Sequence, residues 1–107
     1  MRLQVRGRNI EVSPSIRAYA ETKLARLDKQ LAPETPVEVE LGSEAGHALH
    51  TAEATIFTKG PTLRAQESTS DLRTAIDQLV DNLERQVVKY REKRRQEPRR
   101  RTAHHGA

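Results

Sequence analysis

The chain has 107 residues, of which 32% are charged, 35% apolar and 3% aromatic, with no cysteine. That is enough for one modest core. Disulfides, thiol catalysis and Cys-ligated zinc are excluded, no run approaches the roughly 18 apolar residues of a membrane span, and a reducing cytoplasm is the expected setting. The net charge of +4 is unevenly spread: residues 85–101 hold nine Lys or Arg against two acids, and the rest of the chain ten against thirteen, an asymmetry that points to a polyanionic partner, nucleic acid or a membrane surface.

In RLQVR, Leu3 and Val5 alternate with Arg2, Gln4 and Arg6, the period of a half-buried strand, and Gly7 ends it. Ser13-Pro14 predicts a helix start, with Ser13 as cap and Pro14 where a missing N–H costs nothing. Ile16, Ala20, Leu24, Leu27 and Leu31 then form one apolar face of a helix ending before Pro33. Pro36 introduces VEVEL, a strand with Val37, Val39 and Leu41 facing in. GSEAGHALH, with two glycines, reads as a loop able to blend into the strand after it. From Thr51 to Thr58 the inward set is Ala52, Ala54 and Ile56. A Gly60-Pro61 turn and a last strand around TLRAQ complete a hairpin. Ser70-Asp71 caps a final helix whose stripe is Leu72, Ile76, Leu79, Leu83, Val87 and Tyr90, with Ala75 alongside.

The expected fold class is α+β, in the order β-α-β-β-β-α. A four-stranded mixed sheet carries both helices on one face, as in double-stranded-RNA-binding domains. The first two strands are parallel and the rest form an antiparallel meander. Glu38, Glu40, Glu53 and Thr55 face water on the open side. This domain spans 1–96, and 97–107 is a basic tail expected to be disordered or to begin a linker.

The final helix, from Asp71 to about Arg95, measures roughly 37 Å at 1.5 Å per residue, longer than the ~27 Å of an eight-residue strand. It should outrun the sheet, with Arg94, in the angular sector of Ile76 and Val87, marking where the core ends. Arg85, Lys89 and Lys93 follow at i, i+4 and i+8 as a basic ridge. Dipole complementation acts only within the last turn and does not account for Arg85 or Lys89. Tyr19, Lys23, Arg26 and Gln30 make a second ridge on the first helix, and the two ridges could line a groove for an RNA backbone. Paired stacking aromatics are missing and the open sheet face is acidic, which argues against an open-sheet RNA reader. No helix-turn-helix or zinc pattern marks a DNA reader. Phosphate and shape readout of structured RNA remains.

Catalytic patterns are weak. Asp77, Asp81 and Glu84 read as an outward row with Arg73 and Arg85 beside them for pairing, rather than a metal site. His47 and His50 lie in a loop and His104-His105 in the tail, while Ser43, Ser68 and Ser70 lack a nucleophile elbow. No enzyme activity, cofactor, metal or small-molecule substrate is expected. Because the apolar stripe of the last helix is needed for the core, membrane insertion is disfavoured.

GRNIEVS, SPSIRAYAETKLARL, AEATI and above all DLRTAIDQLVDNLERQVVKYREK resemble the ribosome hibernation-promoting factor family, which includes the ribosome-associated inhibitor often called protein Y. The resemblance covers roughly 1–95. It implies a protein that binds the small ribosomal subunit and its rRNA at the decoding centre, blocks mRNA and tRNA, and silences translation under stress. The family's rRNA contacts match Arg17, Lys23 and Arg26 on the first helix and Arg85, Lys89, Arg91 and Lys93 on the last, of which Arg17 and Arg91 rest mainly on the match, and Arg94 is expected to join them as an rRNA-binding residue. Long members add a domain that pairs ribosomes. This chain reads as a short form or the N-terminal domain of a long one, expected to be monomeric. The alternative is a structured-RNA-binding module with no preference for the ribosome.

Overall fold

In a computed structural model of the chain, the backbone is described for residues 1–105 and side chains for residues 1–93. Strands β1 (Arg2–Gly7), β2 (Pro36–Glu44), β3 (Leu49–Phe57) and β4 (Thr62–Thr69) form one sheet in that order, with helix α1 (Pro14–Leu24) between β1 and β2 and α2 (Leu72–His105) after β4. β1 runs parallel to β2, pairing Val5 with Val39, and the other pairs are antiparallel. The expected β-α-β-β-β-α architecture is therefore the observed one.

Alternation places Val5, Val37, Val39, Leu41, Ala52, Ala54, Ile56 and Ala65 beneath the helices, where they bury against Ala20, Leu24 and Leu27 and against Ile76, Leu79, Val80, Leu83 and Val87. This apolar interface is the main stabilising term, since each large side chain removed from water contributes about 1.5–3 kcal/mol. On the opposite face Arg6 lies 3.8 Å from Glu38 and 3.5 Å from Glu40. That face is a solvated, charge-paired surface.

Gly7 is required by close approach. A Cβ there would sit 2.0 Å from the Ile10 carbonyl oxygen, because the chain doubles back over the end of β1 on its way to α1. Ser13 caps α1 as its position predicts, accepting from the Ile16 N–H at 3.1 Å.

Three boundaries differ from expectation. α1 ends at Leu24 and continues as a 3₁₀ turn over Ala25–Gln30. The spacing of three between Leu24 and Leu27 suits either helix type, so periodicity cannot separate them. Next, β2 and β3 extend through most of the expected loop, leaving only residues 45–48 as the turn. Asn9 explains the extension: its Nδ2 donates to the Ser43 carbonyl at 2.7 Å and its Oδ1 accepts from the Ser43 N–H at 2.9 Å. One side chain thus stands in for a strand neighbour beyond the end of β1. Finally, α2 passes the end expected near Arg95. The expectations for Arg94 and for the 97–107 tail fall outside the described side chains.

Candidate nucleic-acid interface

α2 starts at a side-chain cap. Asp71 Oδ2 accepts from both the N–H and the hydroxyl of Thr74, each at 2.9 Å, while its own N–H donates to Thr69 Oγ1 at 3.1 Å. From this fixed origin the helix lies across β3 and β4, and among the described side chains Val87 is its last fully buried one. Val88 and Lys89 are exposed and Tyr90 is half-buried, so the core beneath the helix gives out there.

The orientation of the basic ridge follows from its neighbours. Glu84 accepts from Arg26 on the α1 side, and Gln86 donates to the Arg64 carbonyl on the β4 side. Arg85, between them, points away from both. Lys89 and Lys93 follow with a drift of about 40° per step, which carries the strip toward the β4 side of the helix and away from α1. All three are exposed, and among the described residues none has a hydrogen-bond or ion-pair partner.

The cations of α1 and of the 3₁₀ turn that follows it are placed differently. Tyr19 donates to Asp77 Oδ1 at 2.7 Å, and Lys23 Nζ lies 3.6 Å from the same oxygen. One Arg26 nitrogen reaches Glu84 at 2.8 Å and Asp81 at 3.6 Å. Arg73 donates to Ser15 Oγ at 2.9 Å and stacks over the Tyr19 ring at 4.9 Å, with Lys23 also over that ring at 5.5 Å. At the far end Arg91 donates to Gln30 at 3.4 Å. The Tyr19 phenol is held protonated above its ordinary range, first by the hydrogen bond to Asp77, then by desolvation and by the charge of that carboxylate.

Two expectations are corrected by this geometry. Asp77, Asp81 and Glu84 pair with Lys23 and Arg26 across the helix interface, not with Arg73 and Arg85. In addition, the two basic ridges do not line one groove: the α1 ridge is the polar seam between the helices, and the α2 ridge lies on the outer surface. The signal was present in the sequence as matching spacing, 19-23-26 on one helix against 77-81-84 on the other. Reading it required knowing that the two rows face each other.

Of the remaining candidates, Arg17 is exposed but donates through Nη1 to the Val5 carbonyl at 2.6 Å. Arg91 lines a cleft of about 480 Å³ with Thr58, Lys59 and Tyr90, a feature periodicity had no means of showing. Lys59 is itself 3.8 Å from Glu34. His47 Nδ1 is 3.0 Å from Ser43 Oγ, and among the described residues no group of three His, Cys, Asp or Glu could hold a metal ion. No helix among them is long and apolar enough to cross a membrane.

Comparison with known proteins adds a family-level observation. A family model described as sigma 54 modulation protein / S30EA ribosomal protein matches residues 3–95. A ribosome hibernation promotion factor of Picosynechococcus sp. is 40% identical over 98 residues, covering 87% of this chain and 50% of that protein. The Lactococcus lactis factor of that name is 33% identical, over 92% and 54%, so the chain spans about half the length of both. The Escherichia coli ribosome hibernation promoting factor is 32% identical over 90% of this chain and 99% of its own length. Among solved structures, the N-terminal domain of Thermus thermophilus Protein Y superposes with a TM-score of 0.74 at 37% identity, covering 84% of this chain and 99% of that one. A ribosomal subunit interface protein of Coxiella burnetii also gives 0.74, at 26% identity over 86% and 99%.

Proposed function

The chain belongs to the sigma 54 modulation protein / S30EA ribosomal protein family, and from that membership we propose that it is a ribosome hibernation factor. In this reading it works in the cytoplasm, binds the small subunit through rRNA at the decoding centre, keeps mRNA and tRNA out, and silences translation under stress. The observation that carries the reading is the strip Arg85–Lys89–Lys93. Three exposed cations without partners among the described residues, fixed at helical spacing on a packed helix, suit a phosphate backbone. Arg91 lies off the strip, on the α1 side of the helix where it donates to Gln30, and adds a contact there only through its cleft. Lys23 and Arg26 join the contact only where a phosphate replaces the carboxylate each now holds, and Arg17 only through the part of its guanidinium not bound to Val5. Arg94 extends the same basic run in sequence.

Co-sedimentation with purified small subunits tests the proposal. The parent protein should pellet with subunits far better than it binds an unrelated RNA duplex, and should inhibit translation in a purified system. Arg85→Glu and Lys89→Glu should each weaken subunit binding strongly while the thermal melt stays that of the parent, because both side chains are exposed and have no hydrogen-bond or ion-pair partner among the described residues. Equal affinity for subunits and for the duplex would leave a structured-RNA binder and no more. Undiminished inhibition by the two variants would reduce the strip to a solvated face.

A further inference from the structure

The two cations that α1 and the 3₁₀ turn after it set against the acids of α2 are already held by groups of this chain. Lys23 has Asp77, and Arg26 has both Asp81 and Glu84. These are surface pairs, with side chains between one third and three fifths exposed. Their worth to stability is small, because solvent screens the attraction and two long side chains must be ordered to make it. Three carboxylates spent on so little stability must be judged by what else they do. Each sits beside a cation that would otherwise be open to any phosphate reaching α1.

The electrostatic consequence is specific. A phosphate approaching Arg26 meets two carboxylates within 3.6 Å of the guanidinium nitrogen it must contact. Displacing them leaves their charges beside the incoming anion, so the gain from the new pair is offset by two like-charge contacts. A regular duplex, which presents phosphates wherever it is laid down, meets that penalty along the whole seam. By contrast the outer strip of α2 attracts any polyanion. Its helix neighbours Glu84 and Gln86 are turned aside to Arg26 and to the Arg64 carbonyl, leaving Arg85 unscreened by them.

We infer that Asp81 and Glu84 are selectivity residues. By holding Arg26, they close the α1 side to the regularly spaced phosphates of plain RNA duplexes and confine non-selective attraction to the outer strip of α2. Only an RNA surface shaped to set a phosphate on Arg26 in place of these carboxylates recruits it as well. The inference rests on the RNA-binding reading above and names the residues that separate a ribosome-selective protein from a general RNA binder of the same fold.

The test compares the parent with Asp81→Asn/Glu84→Gln, using a perfect RNA duplex of about 20 base pairs and purified small subunits as separate ligands. The expected result is a duplex affinity raised roughly three- to tenfold, with a salt slope steeper by about one unit for the freed Arg26. Subunit affinity should change less, so the subunit-to-duplex preference falls. Glu84→Gln alone should move duplex affinity in the same direction by a smaller factor, and it guards against loosened helix packing in the double variant. The inference is overturned if duplex affinity is unchanged or absent in both proteins, if it falls together with the melting temperature, or if subunit affinity rises by the same factor. A parent with no preference for subunits would sink the proposed function instead. The duplex comparison between parent and variant judges the carboxylates either way.

Discussion

Asp71 shows how a single side chain can set both the start of a helix and an acid limit on stability. Its carboxyl is held below the ordinary carboxylate range, first by the Thr74 N–H and next by the Thr74 hydroxyl. Desolvation opposes the shift, and the charges of Arg73 and His50 assist it. A carboxyl whose folded value is depressed favours the folded state only while ionised. Its contribution is complete above the unfolded range near pH ~3.9 and is lost as pH falls through the lower folded value. Asp71→Ala should therefore lower the melting temperature at neutral pH. Below about pH 4 the variant and parent curves should converge, as thermal melts across pH 2 to 7 would show. A constant gap at every pH would remove the carboxylate from the account. The cap was legible in the sequence because Ser70-Asp71 precedes the clearest periodic stripe in the chain. The role of Asn9 was not: its partner, Ser43, lies 34 positions away, and only the fold brings the end of β1 beside β2.

At the scale of elements, both edges of the sheet carry a side chain on a main-chain acceptor. Arg17 of α1 donates to the Val5 carbonyl of edge strand β1, and Gln86 of α2 donates to the Arg64 carbonyl of edge strand β4 at 2.7 Å. Gln86 also donates to Asn82 Oδ1, and Asn82 to Glu67, tying α2 along β4. An open strand edge is a template for another chain, and natural sheets blunt it in such ways. Gln86→Ala should cost about 0.5–1.5 kcal/mol of stability, the usual net worth of one such bond. It should also raise concentration-dependent self-association, read by sedimentation velocity over a hundredfold concentration range. A destabilised variant that stays as monodisperse as the parent would assign Gln86 to helix docking alone. Element type was readable because burial follows two periods, 2.0 and 3.6, that the sequence displays openly. Element ends were not, since Gly42 and Ser43 carry no strand signal and a spacing of three fits α and 3₁₀ turns alike.

For the molecule as a whole, what matters is which positive charges are spent within the chain and which are left over. The sequence shows a basic end on a mildly acidic body. The fold divides the cations further: Lys23 and Arg26 are matched to acids of α2, Arg6 to Glu38 and Glu40, Arg8 to Glu44, and Lys59 to Glu34, while Arg85, Lys89 and Lys93 are left without partners among the described residues. A count of basic residues gives every candidate equal weight, and the fold does not. The difference is measurable as ion release, because a cation already paired internally must trade one anion for another and contributes little to the salt dependence of binding. Replacing Arg85, Lys89 and Lys93 together by Gln should flatten the slope of log affinity against log salt for small subunits by roughly three units. Replacing Lys23 and Arg26 by Gln should change it by less than about one unit, even if affinity falls. Titrations at four salt concentrations would separate the two sets. Equal slope changes would mean that the α1 cations leave their carboxylates completely on binding, and that the seam opens when the protein meets its RNA.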